Sequence, residues 1–220
     1  MTSQPIRDPE RDQLLTPKNS ALILIDYQPV QVSSIQSMDQ RLMVDNVVRV
    51  ARIAKTYGLP IILSTVNVKT GINKPTIPEL QAALPGIETI DRTTINAWED
   101  VEFVAAVKAT GRKKLVLAAL WTEACLTFPA LDAMKEGFEI HPVVDAVGGT
   151  SVEAHRAGLK RIQQAGAKPM SWVQLICELQ RDWARTETYL PVMDIVKEHG
   201  GAYGLGVVYA QSVIGAHAAG

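Results

Sequence analysis

The chain has 220 residues, 47% hydrophobic and 20% charged, with a formal net charge of -1. That is enough apolar sequence for one globular domain with a large core, and the near-neutral balance gives no electrostatic reason to expect nucleic acid or a membrane surface as partner. The longest apolar runs, about seven residues, fall far short of the roughly 20 needed to span a bilayer, and MTSQPIRDPERDQ at the N-terminus has no hydrophobic signal core, so a cytoplasmic location is expected.

In chain order, ALILID (21–26) reads as a strand and DQRLMVDNVVRVARIAKTYG, ending at Gly58, as a helix. LPIILSTV (59–66) and the weaker IETIDR (87–92) follow as strands, then EDVEFVAAVKATG as a helix ending at Gly111. KLVLAAL (114–120), the helix TEACLTFPALDAMKEG, FEIHPVVDA (138–146), the helix SVEAHRAGLKRIQQAG and AKPMSW (167–172) complete the alternation. The strands are short and rich in Val, Ile and Leu, as strands buried on both faces of a parallel sheet are. Each helix closes on a glycine able to turn through a left-handed cap. The order predicts an α/β, three-layer doubly wound (Rossmann-like) sandwich with a mostly parallel six-stranded sheet, in a single domain over 1–220 with its core at about 20–185.

Two more helices are expected at QLICELQRDWART (174–186) and ETYLPVMDIVKEHG (187–200). The last stretch, GAYGLGVVYAQSVIGAHAAG, is apolar and uncharged, so the 186–220 extension is either a subunit contact or a weakly docked terminus.

Ligands of open parallel sheets bind beyond the carboxyl ends of the strands. Three such ends carry chemistry: Asp26 closes ALILID, Arg92 closes IETIDR, and Cys125 lies just past KLVLAALW, where a helix begins. A helix N-terminus stabilises a thiolate and lowers the thiol pKa, and its free N–H groups, from Thr122 to Cys125, suit the oxygen of a tetrahedral intermediate. With a carboxylate to accept the thiol proton, these are the parts of a nucleophilic acyl-transfer enzyme. Pro129, four residues on, has no N–H for the Cys125 carbonyl, which predicts an irregular first turn beside the nucleophile. Thr122 and Glu123 are read as helix caps and Cys177 as inert filling.

The segments ALILIDYQ, LPIILSTV, PTIPEL, DRTTINAWEDVEFVAAVKATGRKKLVLAALWTEACLTFPALDAMKEGFEI and CELQRDW resemble, in order and over about 20–185, the isochorismatase-like cysteine hydrolases, and among them the YcaC-type subgroup. The resemblance implies a catalytic triad of Asp26, Arg92 and Cys125. It implies a cis peptide at Trp121–Thr122 that turns backbone N–H groups, those of Thr122 and Cys125, into an oxyanion hole. It also implies assembly into rings of subunits, a ring-based octamer being one form.

Two departures from the wider superfamily matter. Most amidase members carry a lysine where DRTT has Arg92, and a guanidinium orients and holds the charge of Asp26 without shuttling protons, so proton transfer falls to Asp26. Nicotinamidases carry an Asp-x-His…His cluster after the second strand, whereas STVNVKTGINKP (64–75) has neither histidine nor acid, so neither a metal site nor any other cofactor is expected. His141, His155, His199 and His217 are scattered, and His155 is read as a surface or packing residue.

Ile35, Trp98, Trp121 and Phe128 flank the triad in sequence and build either an apolar pocket or part of the core, with Asn67 and Asn96 as polar contacts or loop residues. The expected activity is hydrolysis of a small amide, imide or carbamate-like molecule through a thioester. The alternative is a non-catalytic protein that binds a metabolite or serves as a redox-sensitive assembly. A dinucleotide-binding enzyme is disfavoured, because ALILIDYQPVQ has no glycine.

Overall fold

The computed structural model describes residues 8–217; residues 1–7, the last three residues of the apolar tail, and the side chains of His199 and of 214–217 lie outside the described residues. Five parallel strands, β1 (Ser20–Ile25), β2 (Ile61–Val66), β3 (Thr89–Arg92), β4 (Lys114–Ala119) and β5 (Glu139–Pro142), form one sheet in the order β3-β2-β1-β4-β5. β1 and β4 are neighbours inside the sheet and all twelve of their residues are buried, which is why both read as apolar runs after Ser20 and Lys114 at their starts. Neighbours pair in register from Ser20 opposite Lys114 to Ile25 opposite Ala119, so β1 and β4 end together.

The expected sixth strand at 167–172 is not one. It meets β5 through a single bridge, Val143 to Met170, with Lys168 N–H on Ile140 O (2.8 Å) and Met170 N–H on Pro142 O (2.9 Å). The pairing is confined to that one bridge, just past the end of β5 at Pro142, and the sheet counts five strands.

Helices α1 (Pro29–Ser33), α2 (Gln40–Thr56), α3 (Pro78–Ala83), α4 (Val101–Ala109), α5 (Thr127–Lys135), α6 (Val152–Gln164), α7 (Trp172–Gln180), α8 (Thr186–His199) and α9 (Gly201–His217) complete the fold. In α2 the buried Met43, Val47, Val50 and Ala54 recur at helical spacing on the core face, and Asp39 caps its start by accepting the Leu42 N–H at 2.7 Å. Burying such side chains contributes roughly 1.5–3 kcal/mol each. Gly58 (φ +65°) and Gly137 (φ +85°) close α2 and α5 in the left-handed region, as the glycine punctuation predicts. No helix among the described residues is long and apolar enough to cross a membrane.

Candidate active site

β1 and β4 lie side by side where the strand order reverses, the crevice in which open α/β sheets bind ligands. Asp26 follows β1 directly. It is fully buried and has φ +62°, a conformation aspartate tolerates better than most residues, with its N–H on Ser64 O at 3.0 Å. Arg92 ends β3 at the sheet edge, opposite Val66 at the end of β2, and its side chain reaches the aspartate one strand further in. Its Nη2 donates to Asp26 Oδ2 at 2.6 Å and its Nη1 to Thr94 O at 2.9 Å, with neither side chain of the ion pair exposed.

Cys125 stands beside the same carboxylate as a hydrogen-bonding neighbour. The contact is looser than a well-formed bond, which leaves Asp26 Oδ1 buried and otherwise unpartnered. Loose geometry is ordinary in a resting site. The three residues read from strand ends thus meet in one cluster.

The cysteine sits on an irregular turn. Leu120–Trp121 is the cis peptide bond, and Thr122–Leu126 then forms one turn of π-helix before α5. The irregularity expected from Pro129 is present. The cis bond is one residue earlier than the expected Trp121–Thr122, at the junction between the Leu120–Gly148 bridge and the turn that starts at Thr122. Thr122 N–H donates to Gly148 O at 2.9 Å and so is not a free oxyanion donor, whereas the Trp121 N–H is the backbone donor that favours the charged form of the cysteine sulfur.

The electrostatics also differ from the expectation of a lowered thiol pKa. Burial, reinforced by the Asp26 charge, pushes the Cys125 thiol up to about 12, and Arg92 and the Trp121 N–H only partly oppose it. Burial likewise raises the Asp26 carboxyl above its ordinary value despite Arg92. With the residue only 8% exposed, a thiolate there would lack the water it needs, and this outweighs the end of one short, distorted turn. Burial thus favours the neutral thiol over the thiolate beside the Asp26–Arg92 pair.

Of the flanking residues, Trp121 donates through Nε1 to Ser34 Oγ (2.7 Å) and Gln31 O (3.2 Å), fastening α1 to the nucleophile turn. Ile35 is buried behind it against Gly148, where a Cβ would lie 2.7 Å from Ile35 Cγ2. Asn67 ends β2 with its N–H on Arg92 O at 2.8 Å, and Phe128 is half-buried one turn after Cys125. Trp98 packs edge-on against Phe103 and Phe138, and its Nε1 donates to Glu136 at 2.9 Å, because the short turn Ala97–Glu99 carries it to α5; the cavity of about 350 Å³ that it lines with Val101, Val104 and Lys108 has none of the three residues in its wall. Asn96 caps that turn and donates to Asp132 Oδ2 at 2.8 Å.

Thr122 and Glu123 do not cap the turn: Thr122 Oγ1 lies 2.8 Å from His155 Nδ1, and Glu123 Oε1 accepts the N–H and hydroxyl of Thr150. His155 is therefore neither free surface nor plain packing. Cys177 is exposed on α7 rather than filling the core. Among the described residues no three His, Cys, Asp or Glu side chains gather as a metal site. A cavity of about 410 Å³, lined by Arg92, Asp91, Lys69 and neighbouring residues, adjoins the ion pair. A larger one, about 700 Å³, lies between α2, α3 and α8 and has none of the three residues in its wall.

The isochorismatase domain model matches residues 20–174. Probable hydrolase YcaC of Escherichia coli is 41% identical over 170 residues, covering 77% of this chain and 81% of that protein. The crystal structure of E. coli YcaC, described as an octameric hydrolase of unknown specificity, superposes with a TM-score of 0.85 at 35% identity over 92% of this chain and 98% of that one. YcaC from Pseudomonas aeruginosa, solved with hexane-2,5-diol and covalent acrylamide, gives 0.84 at 35% identity over 90% and 96%. The chain belongs to the isochorismatase family of hydrolases, in its YcaC subgroup.

Proposed function

We propose that the protein is a cysteine-dependent hydrolase of a small amide, imide or carbamate-like compound, working through a thioester. The observation that carries this reading is the meeting of Cys125, Asp26 and Arg92 in one buried cluster at the carboxyl edge of the sheet. Asp26 takes the thiol proton as sulfur attacks the carbonyl carbon. The raised carboxyl suits this step, since it narrows the gap between base and thiol. The oxygen becomes an oxyanion held by the N–H groups of Trp121 and Cys125, with Trp121 replacing Thr122 as donor. The C–N bond breaks as Asp26 returns the proton to the leaving nitrogen. Water, deprotonated by Asp26, then cleaves the C–S bond and restores the thiol. Arg92 touches no reacting atom; it holds the carboxylate in place and balances its charge.

The covalent acrylamide in the P. aeruginosa protein fits a reactive nucleophile in this subgroup. The redox-sensitive alternative is not favoured, because sensor thiols are exposed and low in pKa and Cys125 is neither.

The octamer of E. coli YcaC supports homo-oligomers here too. Helix α9 is the proposed contact: residues 199–220 contain no Asp, Glu, Lys or Arg, and Leu205 and Tyr209 are 73% and 68% exposed.

The test is a screen of the pure protein against amides, imides and carbamates, with Cys125→Ala as blank. Hydrolysis by the wild type alone is expected, and equal turnover by both proteins refutes the nucleophile.

A further inference from the structure

The turn that carries Cys125 is not self-supporting. Ala124 and Leu126 N–H both reach Trp121 O, and Pro129 leaves the Cys125 carbonyl without the donor a regular helix would supply. Its support comes from the first residue of α5, from the segment between β5 and α6 and from α6 itself. Gly148 O holds the Thr122 N–H, Thr127 Oγ1 donates to Thr122 O at 2.7 Å, and Thr150 holds Glu123 through bonds of 3.0 and 2.6 Å. The remaining polar atom of Thr122, Oγ1, shares a 2.8 Å hydrogen bond with His155 Nδ1 on α6.

The helix comes this close because Gly158 faces the turn: a Cβ there would lie 3.0 Å from both Thr122 O and Glu123 Cα. Thr122 is thereby fixed at its amide, carbonyl and hydroxyl, in the turn that joins Trp121 to Cys125. Burial holds the His155 imidazole below its ordinary value, with Glu123 opposing and Arg156 adding to the shift.

We propose that His155 is a positioning residue for Cys125, its bond to the Thr122 hydroxyl setting the turn so that the sulfur faces Asp26 and the Trp121 N–H. The inference rests on Cys125 being the nucleophile. A packing role alone would need the bulk of residue 155 but not an acceptor or donor at the Nδ1 position. Asparagine supplies a polar atom at that position and leucine does not, so the pair separates the two roles.

The experiment follows acrylamide addition to Cys125 by peptide mass in the wild type, His155→Leu, His155→Asn, Thr122→Val and Asp26→Asn proteins, each checked for folding by its melting curve. His155→Leu and Thr122→Val should react about tenfold more slowly, the scale of one lost hydrogen bond, with His155→Asn close to the wild type. Thr122→Val keeps the side-chain shape and leaves His155 in place, so it reads the bond even where His155→Leu fails to fold. Rates within twofold of the wild type in the Leu and Val proteins, or an Asn protein as slow as Leu, overturn the positioning role. The Asp26→Asn protein separates this from the larger reading: a wild-type rate that does not need Asp26 refutes the acid–base mechanism. No adduct on Cys125 at all overturns both.

Discussion

Replacing Arg92 by methionine removes the guanidinium from a fully buried pair joined at 2.6 Å. Leaving an ionised carboxylate unpaired in such a place costs about 3–5 kcal/mol. Asp26 can avoid that cost by binding a proton. Burial already raises its carboxyl above the ordinary 3.8 with Arg92 opposing, and losing Arg92 raises it further. A folded-state pKa above the unfolded value means the folded protein binds more protons, so this contribution to stability is complete below about 3.8 and is lost as pH rises through the folded value. The variant should therefore be closest to the wild type in acid and fall behind toward pH 9, the gap approaching about 3–5 kcal/mol as the carboxyl is forced to ionise. Urea denaturation at intervals from pH 5 to 9 measures the gap. A gap that stays flat over that range, or the absence of any gap, refutes the reasoning. With Asp26 protonated, the same variant should also lose acrylamide addition at neutral pH.

Three further outcomes follow from the same geometry. The thiolate absorbance of Cys125, taken as wild type minus Cys125→Ala near 240 nm, should show no step below pH 9, since the thiol is pushed up to about 12; a step below pH 8 contradicts a neutral resting thiol. Gly158→Ala places a methyl group 3.0 Å from Thr122 O and should cost about 1–3 kcal/mol in urea denaturation while slowing the Cys125 reaction. A chain stopped after Gly200 should show fewer subunits per assembly by light scattering, and an unchanged number of subunits removes α9 from the subunit contact.

Much of the site was legible because parallel sheets end their strands together. Asp26, Arg92 and Cys125 each stand where an apolar run gives way to a polar residue, and the register of β1 against β4 makes those ends coincide. Arg92 carried the weakest signal because β3 is a four-residue edge strand with its first residue exposed. What escaped the sequence is nonlocal. That Thr122 N–H is taken by Gly148 and its hydroxyl by His155 depends on a segment some 30 residues away folding back on the turn. The thiol was expected to be lowered by a helix end, but depth of burial, invisible in a run of letters, decides the sign. Trp98 is near Arg92 in sequence and yet packs on α5, since a three-residue turn is enough to redirect it.

The central claim is a covalent bond from Cys125 to the substrate's acyl carbon. Its most direct test is the mass of tryptic peptides from protein quenched in acid during turnover. The acyl fragment should appear on the peptide bearing Cys125 in the wild type and be absent from Asp26→Asn. A fragment found on any other residue while Cys125 stays unmodified would contradict it.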